Sequence, residues 1–293
     1  MYHNWWYWNE EQQYRDIVVI QRWQTDFTDF SASYCRIPAF RDASEQSRSE
    51  AHVIEMAFSQ NPACLIRRAS GISSRRAVPR NSGGMTGEEP IAWIEVPEPS
   101  ECVEFRPSKS LRRSVAEELR APQAAELAEI VGYSDPVLWS ASVRYRAHAT
   151  GGWQMSDIEA SEMMRGLLGH MMLTHLGARP TRATLARLDP RRLKRLEDYV
   201  QAKLPGPITI ENLSEVAAMS PFHFIRVFRQ TFHMTPGQYV LARRMEIARD
   251  LLQTNGGTLT NVASHVGYTN GHYFRGAFFR FFGHSPGAVN SPT

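Results

Sequence analysis

The sequence predicts an α+β chain of two domains: an antiparallel β-sandwich or small barrel with following helices over residues 1–185, and an all-α domain over 186–293. Three observations carry this. Residues 213–236 recur in diverged form as 262–286, and each copy has the period of two short helices. Short extended segments, with no helical pattern between them, fill residues 30–106. From about residue 110 the period becomes helical.

The repeat organises the C-terminal part. Phe224, Phe228 and Phe232 recur as Phe274, Phe278 and Phe282 at an offset of 50, and Thr235-Pro236 recurs as Ser285-Pro286. Upstream the offset is 49, taking Ala218-Met219-Ser220 to Gly267-Tyr268-Thr269, so the second copy has one extra residue in its turn. A spacing of four sets each Phe trio along one inward stripe of a helix. In the first copy a helix at about 209–217 breaks at Ala218-Met219-Ser220-Pro221. Ser220 suits an N-cap, and Pro221 suits the first helical position because its missing N–H has no intrahelical partner there. In the second copy Gly267 supplies the turn, with Thr269 or Asn270 as cap. The two units, at about 209–231 and 258–281, read as helix-turn-helix motifs.

The outer face of the second helix in the first unit carries Phe222, Ile225, Arg226 and Arg229. Arg226 and Arg229 are helical neighbours able to address one polyanion. A lone pair of this kind is more often a solvated face; two such helices in tandem favour the polyanion. Charge agrees: from Ala186 onward there are 13 Lys and Arg against 7 Asp and Glu, whereas the preceding residues carry 20 against 23.

Residues from about 191 to 286 resemble the DNA-binding domain of the AraC/XylS family of transcription regulators. LSEVAAMSPFHFIRVFRQTFHMTPGQYVLARRMEIARDLL (213–252) and VASHVGYTNGHYFRGAFFRFFGHSP (262–286) carry the resemblance. It implies contact with double-stranded DNA through Phe222, Ile225, Arg226 and Arg229 of the first unit and Asn270, Gly271, His272, Tyr273 and Arg275 of the second, with Arg280 and His272 helping to anchor phosphates. Arg226 is the leading base-reading residue, since an arginine grips guanine bidentately. The usual arginine of the second unit is replaced by Gly276, and Arg275 stands one residue away, about 100 degrees around the helix. The resemblance further implies a cupin-like N-terminal barrel with dimerising helices, a homodimer, a small organic effector, contact with RNA polymerase, and activation as the commoner outcome.

The remaining segments are read in order. Trp5, Trp6, Tyr7 and Trp8 form an aromatic start, either an arm or an extension packed on its own domain. Strands are expected at 31–37, 52–59, 64–69, 91–96 and 102–105, and a loop at 75–90 from its Gly, Pro and Arg content. Helices are expected at 110–119, 123–131, 136–147 and 156–175. The last holds Ile158, Met163, Leu167, Leu168, Met171 and Met172, too many apolar residues for one face, so a neighbouring helix or second subunit should cover part of it. A linker falls at about 177–189, and Asp189-Pro190 opens a helix whose first turns are basic, solvated or held by an anion. A helix within 236–254 joins the two units, about 17 residues making a rod of about 25 Å, stopped at Asn255-Gly256-Gly257.

The competing class is an enzyme or noncatalytic sensor in the N-terminal half with DNA binding secondary. A cupin-type metal enzyme requires clustered ligands such as His-x-His; His52, His148, His170 and His175 are scattered, and His170 and His175, five apart, suit no single helix face. Cys35, Cys64 and Cys102 form no CxxC pair, as expected of reduced thiols. No metal, cofactor or catalytic residue is expected. No apolar run approaches the roughly 18 residues of a membrane span, so no membrane partner and a cytoplasmic location are expected.

Overall fold

The computed structural model describes residues 3–7, 18–41, 50–179, 187–254 and 258–290. The aromatic start from Trp5 to Trp8, most of the expected linker and the Asn255-Gly256-Gly257 stop lie wholly or in their side chains outside the described residues. Two compact units emerge. Met1–Tyr145 with Asp157–Arg179 form the first; Arg146–Ser156 with Pro180–Thr293 form the second.

The first unit is built on two antiparallel sheets. Its strands are β1 (His3–Tyr7), β2 (Val18–Asp26), β3 (Phe30–Ile37), β4 (Phe40–Arg41), β5 (Ile54–Ala57), β6 (Asn61–Arg68), β7 (Ser73–Val78), β8 (Ser82–Met85), β9 (Ile91–Val96), β10 (Ser100–Pro107) and β11 (Ile130–Tyr133). Seven of them order as β1-β2-β3-β10-β5-β8-β11, and four as β4-β9-β6-β7. Alternation gives each strand two faces. On β10, Val103 and Phe105 are fully buried, and the Phe105 ring meets Tyr145 edge-on at 5.8 Å. The opposite face carries Cys102, Glu104 and Arg106.

Two expectations fail here. The 75–90 segment, read as a loop, supplies β7 and β8. Its Arg75 lies on a strand surface where polar side chains are tolerated, so composition misled. Gly83 and Gly84 serve close packing: a Cβ on Gly83 would lie 2.6 Å from the Leu138 side chain, and one on Gly84 2.5 Å from Glu55 Oε1. The helix expected at 123–131 is a single 3-10 turn, Pro122–Ala125, followed by β11, which pairs with β8. β-branched Ile130 and Val131 suit that strand.

The helices of this unit are α1 (Lys109–Glu118), α2 (Pro136–Ala149), which runs on into the second unit, and α3 (Asp157–His175). The apolar excess of α3 is covered within the chain: Met163, Leu167, Leu168, Met171 and Met172 are buried, while Ile158 stays 73% exposed. Asp135 organises the start of α2. Its Oδ1 accepts from the N–H groups of Val137 and Leu138 at 2.9 Å, and its Oδ2 faces His170 Nε2 at 2.7 Å and His175 Nε2 at 3.4 Å. The two histidines do converge, because Asp135 reaches them from another element. Among the described residues no group of three or more His, Cys, Asp or Glu is arranged to hold a metal ion. No described helix is long and apolar enough to cross a membrane.

The second unit contains α4 (Pro190–Lys203), α5 (Ile210–Val216), α6 (Pro221–Phe232), α7 (Pro236–Thr254), α8 (Leu259–His265) and α9 (Gly271–Phe282). Asp189 caps α4 through the Arg192 N–H at 2.9 Å, as its place before Pro190 suggests. The basic start of α4 is partly neutralised from within: Arg192 ion-pairs with Asp189 and donates to the Ala217 carbonyl, and Lys194 pairs with Asp198. Thr209 and Asn212 form a reciprocal capping box on α5.

Burial works against the charged form of Asp135, yet the His170 and His175 hydrogen bonds and the α2 N–H groups hold its carboxyl far below the ordinary range. A depressed carboxylate stabilises the fold above its unfolded value, about 4, and loses that contribution as pH falls. Asp135→Asn should therefore lower stability at pH 7, and the gap from the parent should shrink steadily below about pH 4. Urea denaturation across that range checks this; a gap independent of pH would contradict it.

Candidate nucleic-acid interface

The two repeat units are aligned turn for turn. Phe224, Phe228 and Phe232 stack along α6, with neighbouring centroids 5.3 and 4.4 Å apart; Phe274, Phe278 and Phe282 do the same along α9 at 5.8 and 4.5 Å. All six are buried. Phe228 and Phe232 also pack on Tyr239 of α7, with centroids at 5.6 and 4.8 Å. Burying such rings contributes about 1.5–3 kcal/mol each, so the rotation of both helices about their axes is well determined.

The turns match as well. Ala218 and Gly267 both occupy the left-handed region, at φ of 52° and 82°. Gly267 is obligatory for a further reason, since a Cβ there would lie 2.8 Å from the Pro205 carbonyl oxygen. Ser220 occupies the N-cap of α6 without a side-chain cap bond, and Pro221 is its first residue. In the second unit Asn270 is the cap, accepting from the His272 N–H at 2.7 Å. His233 and Gly283 end the two helices in left-handed conformations.

With the aromatic columns inward, the outer arcs follow. On α6, Phe222 is 84% exposed, Arg226 and Arg229 are exposed, and Ile225 is half-buried. His223 and Gln230 join them, and His223 Nδ1 lies 3.4 Å from Arg226 Nη2. On the second unit Asn270, His272, Tyr273, Arg275 and Arg280 are exposed and Gly271 is half-buried. Every residue expected at the site is thus at least partly accessible, within two separate helix faces.

The two arcs differ more than expected. Gly276 stands where Arg226 does, and exposed Phe279, offset 50 from Arg229, replaces the other arginine. The signal for Phe279 is already present in the repeat, since the offset of 50 takes Arg229 to that position. Gly276 is not sterically required: a Cβ there would first meet Arg280 Nη1 at 3.7 Å, ordinary contact distance.

A family model described as a helix-turn-helix domain matches residues 213–291. The C-terminal part of this chain is an AraC/XylS-family domain. Within that framework, the probable transcriptional regulator LumQ of Photobacterium leiognathi is 31% identical over 108 residues, covering 35% of this chain and 44% of LumQ. The MmsAB operon regulatory protein of Pseudomonas aeruginosa is 27% identical over 175 residues, covering 58% of this chain and 56% of that protein. The chain spans about half the length of these two relatives. Among solved structures, the C-terminal domain of AraT, a response regulator from Geobacillus stearothermophilus, is 30% identical, covering 35% of this chain and 85% of that one with a TM-score of 0.33. The AraC-type domain accounts for both helix pairs and for α7 between them.

The first unit holds a different constellation. Glu104 accepts from Arg22 at 3.1 Å and from Ser33 at 3.2 Å, and ion-pairs with Arg106. Burial disfavours its charge, but Arg106 and Arg22 hold its carboxyl below the ordinary range. Glu55, register partner of Glu104 across β5 and β10, is pushed up to about 7 by burial and by the Glu104 charge. Cys35 and Cys102, far apart in sequence, are register partners on β3 and β10. Arg22 Nε donates to Cys35 Sγ at 3.3 Å. A polar interior of this kind was not legible from spacing, since its residues come from four strands.

Gly276→Ala should raise thermal stability of the AraC-type domain by about 1 kcal/mol, because the added methyl group fits and helix propensity improves. Differential scanning calorimetry of the full chain measures this; a drop in stability would show that the glycine has a packing role.

Proposed function

We propose that this chain is a sequence-specific DNA-binding transcription regulator whose α6 and α9 enter successive major grooves of one duplex. The observation that carries the reading is the pair of outward arcs, each opposite a buried aromatic column. α7, with 19 residues, spans about 28 Å, close to the roughly 34 Å between successive grooves on one face of DNA, and modest bending makes up the difference. Arg226 reads a base, while Arg229, Arg275, His272 and Arg280 hold phosphates. Phe222, Ile225 and Tyr273 supply apolar and aromatic contacts, and Asn270 and Gly271 bring the start of α9 to the backbone.

The first unit is, on this reading, a cupin-like effector chamber. Its support is the two-sheet architecture and the polar interior around Glu55 and Glu104, a small set of directional groups of the kind that orients a small organic ligand. The alternative, an enzyme in this unit, lacks an observation in its favour. We further propose a cytoplasmic homodimer, acting as an activator through RNA polymerase. The exposed Ile158 on α3 offers an apolar contact for pairing, and the family resemblance supplies the rest.

Full-chain protein should bind a cognate duplex with affinity that falls steeply as salt rises. Arg226→Ala should cost about 1–3 kcal/mol at that duplex and relax preference at one base pair. Arg275→Ala should weaken cognate and random DNA by similar factors and flatten the salt slope. Competition over randomised half-sites decides between the roles; a changed sequence preference in Arg275→Ala with none in Arg226→Ala reverses them. Absence of salt-dependent duplex binding by folded protein rejects the reading altogether.

A further inference from the structure

Residues 146–156 belong to the C-terminal unit and form a strap on it. Arg146 is almost wholly buried, ion-pairs with Glu246 of α7, and sets its guanidinium 5.8 Å from the Phe282 ring centroid of α9. Farther along, the strap backbone is closely applied to the end of α9. A Cβ on Gly152 would lie 2.2 Å from the Phe281 carbonyl oxygen, and one on Gly283 2.2 Å from the Thr150 carbonyl oxygen. The strap is therefore a built wall rather than a passing loop.

Between this wall, α7 and α9 lies a cavity of about 690 Å³. Its sides include Trp153, Leu241, Tyr268, Tyr273 and Phe281, with the Trp153 and Phe281 rings 6.4 Å apart. Four of those five side chains are aromatic. Among the described residues of the lining Arg280 is the one charged side chain, and it is exposed. The volume suits a ligand of drug-like size with a few polar atoms. Flat aromatic walls favour a flat aromatic body by ring stacking, and a lone guanidinium favours an anionic group able to accept its parallel N–H donors.

We propose that this cavity is a binding site for a planar aromatic anion, carboxylate or sulfonate, whose charge pairs with Arg280. The site lies in the C-terminal unit and is distinct from the polar interior of the two-sheet unit. Its consequence rests on the DNA reading above: an anion seated on Arg280 removes that guanidinium from DNA phosphate, and its body occupies the surface beside Tyr273. Bound anion and duplex then compete for the second helix-turn-helix unit.

Full-chain protein would be titrated with two fluorescent probes of similar shape, anionic 8-anilinonaphthalene-1-sulfonate and uncharged N-phenyl-1-naphthylamine. Both should bind saturably. Arg280→Gln should weaken the sulfonate about tenfold and leave the neutral amine within about twofold, since only the charged probe loses a charge-assisted hydrogen bond. Leu241→Trp, which fills the cavity, should weaken both. Equal effects of Arg280→Gln on the two probes, no effect on the sulfonate, or undiminished binding of both to Leu241→Trp would overturn the site. In a second measurement, sulfonate at a concentration that just saturates the parent should lower duplex affinity of the parent, and the same effect in Arg280→Gln should need about tenfold more sulfonate; an unchanged parent affinity, or equal sulfonate dependence in both proteins, would overturn the competition. If no duplex binds under any condition, the DNA reading fails while the probe titrations still decide the cavity.

Discussion

The four-residue aromatic spacing is the constraint on which the C-terminal unit depends. Three rings on one side of a 12-residue helix leave a single rotation about the axis that removes all of them from water. α6 and α9 each meet that condition, so the residues left outside are determined by subtraction. Arg226 and Arg229 face outward because Phe224, Phe228 and Phe232 cannot. The same rings reach Tyr239 on α7, which ties the first outward face to the helix connecting it to the second.

This is also why the C-terminal unit was legible in the sequence and much of the first unit was not. Helical periods, caps such as Asp189 and Thr209, and a repeat at a fixed offset are local signals, readable within a few turns. The strands of the first unit are stabilised by partners distant in sequence, as in the register of β3 with β10. Glycine-rich β8 and arginine-rich β7 look like loop until those partners are present; Gly83 and Gly84 are small because Leu138 and Glu55 approach from elsewhere. Asp135 illustrates the same limit, since it unites two histidines whose spacing of five on α3 puts them on different parts of the helix surface.

The strap marks a second limit of local reading. Gly151-Gly152 marks a break between two helices within residues 146–156, but no local signal says what the segment packs on: Arg146 is buried against Glu246, 100 residues away. A buried arginine is costly unless paired, and Glu246 and the Phe282 face together offset that cost. Glu246 and Arg249 interrupt the apolar side of α7, an oddity in a helix otherwise packed by Tyr239, Met245, Ala248 and Leu252. Their burial gives the oddity a reason: α7 meets two aromatic columns and also receives a charged side chain from outside the repeat.

The differences between the two outer arcs then acquire a physical meaning. Arg226 and Arg229 have no counterparts in α9, where Gly276 and Phe279 stand instead. On the proposed reading, the second unit must draw its positive charge from Arg275 and Arg280, one position displaced from those sites along the helix. Displacement by one residue turns a side chain about 100 degrees, toward the flank rather than the floor of a groove. A flanking guanidinium meets phosphate more readily than a base edge, and phosphate carries no sequence information. The turn of α9 that brings Arg280 to the flank also brings it to the cavity beneath the strap. On the proposed reading, two displacements of opposite sense, Arg275 before Gly276 and Arg280 after Phe279, make the second unit the weaker reader, and the one at Arg280 opens it to control by a competing anion.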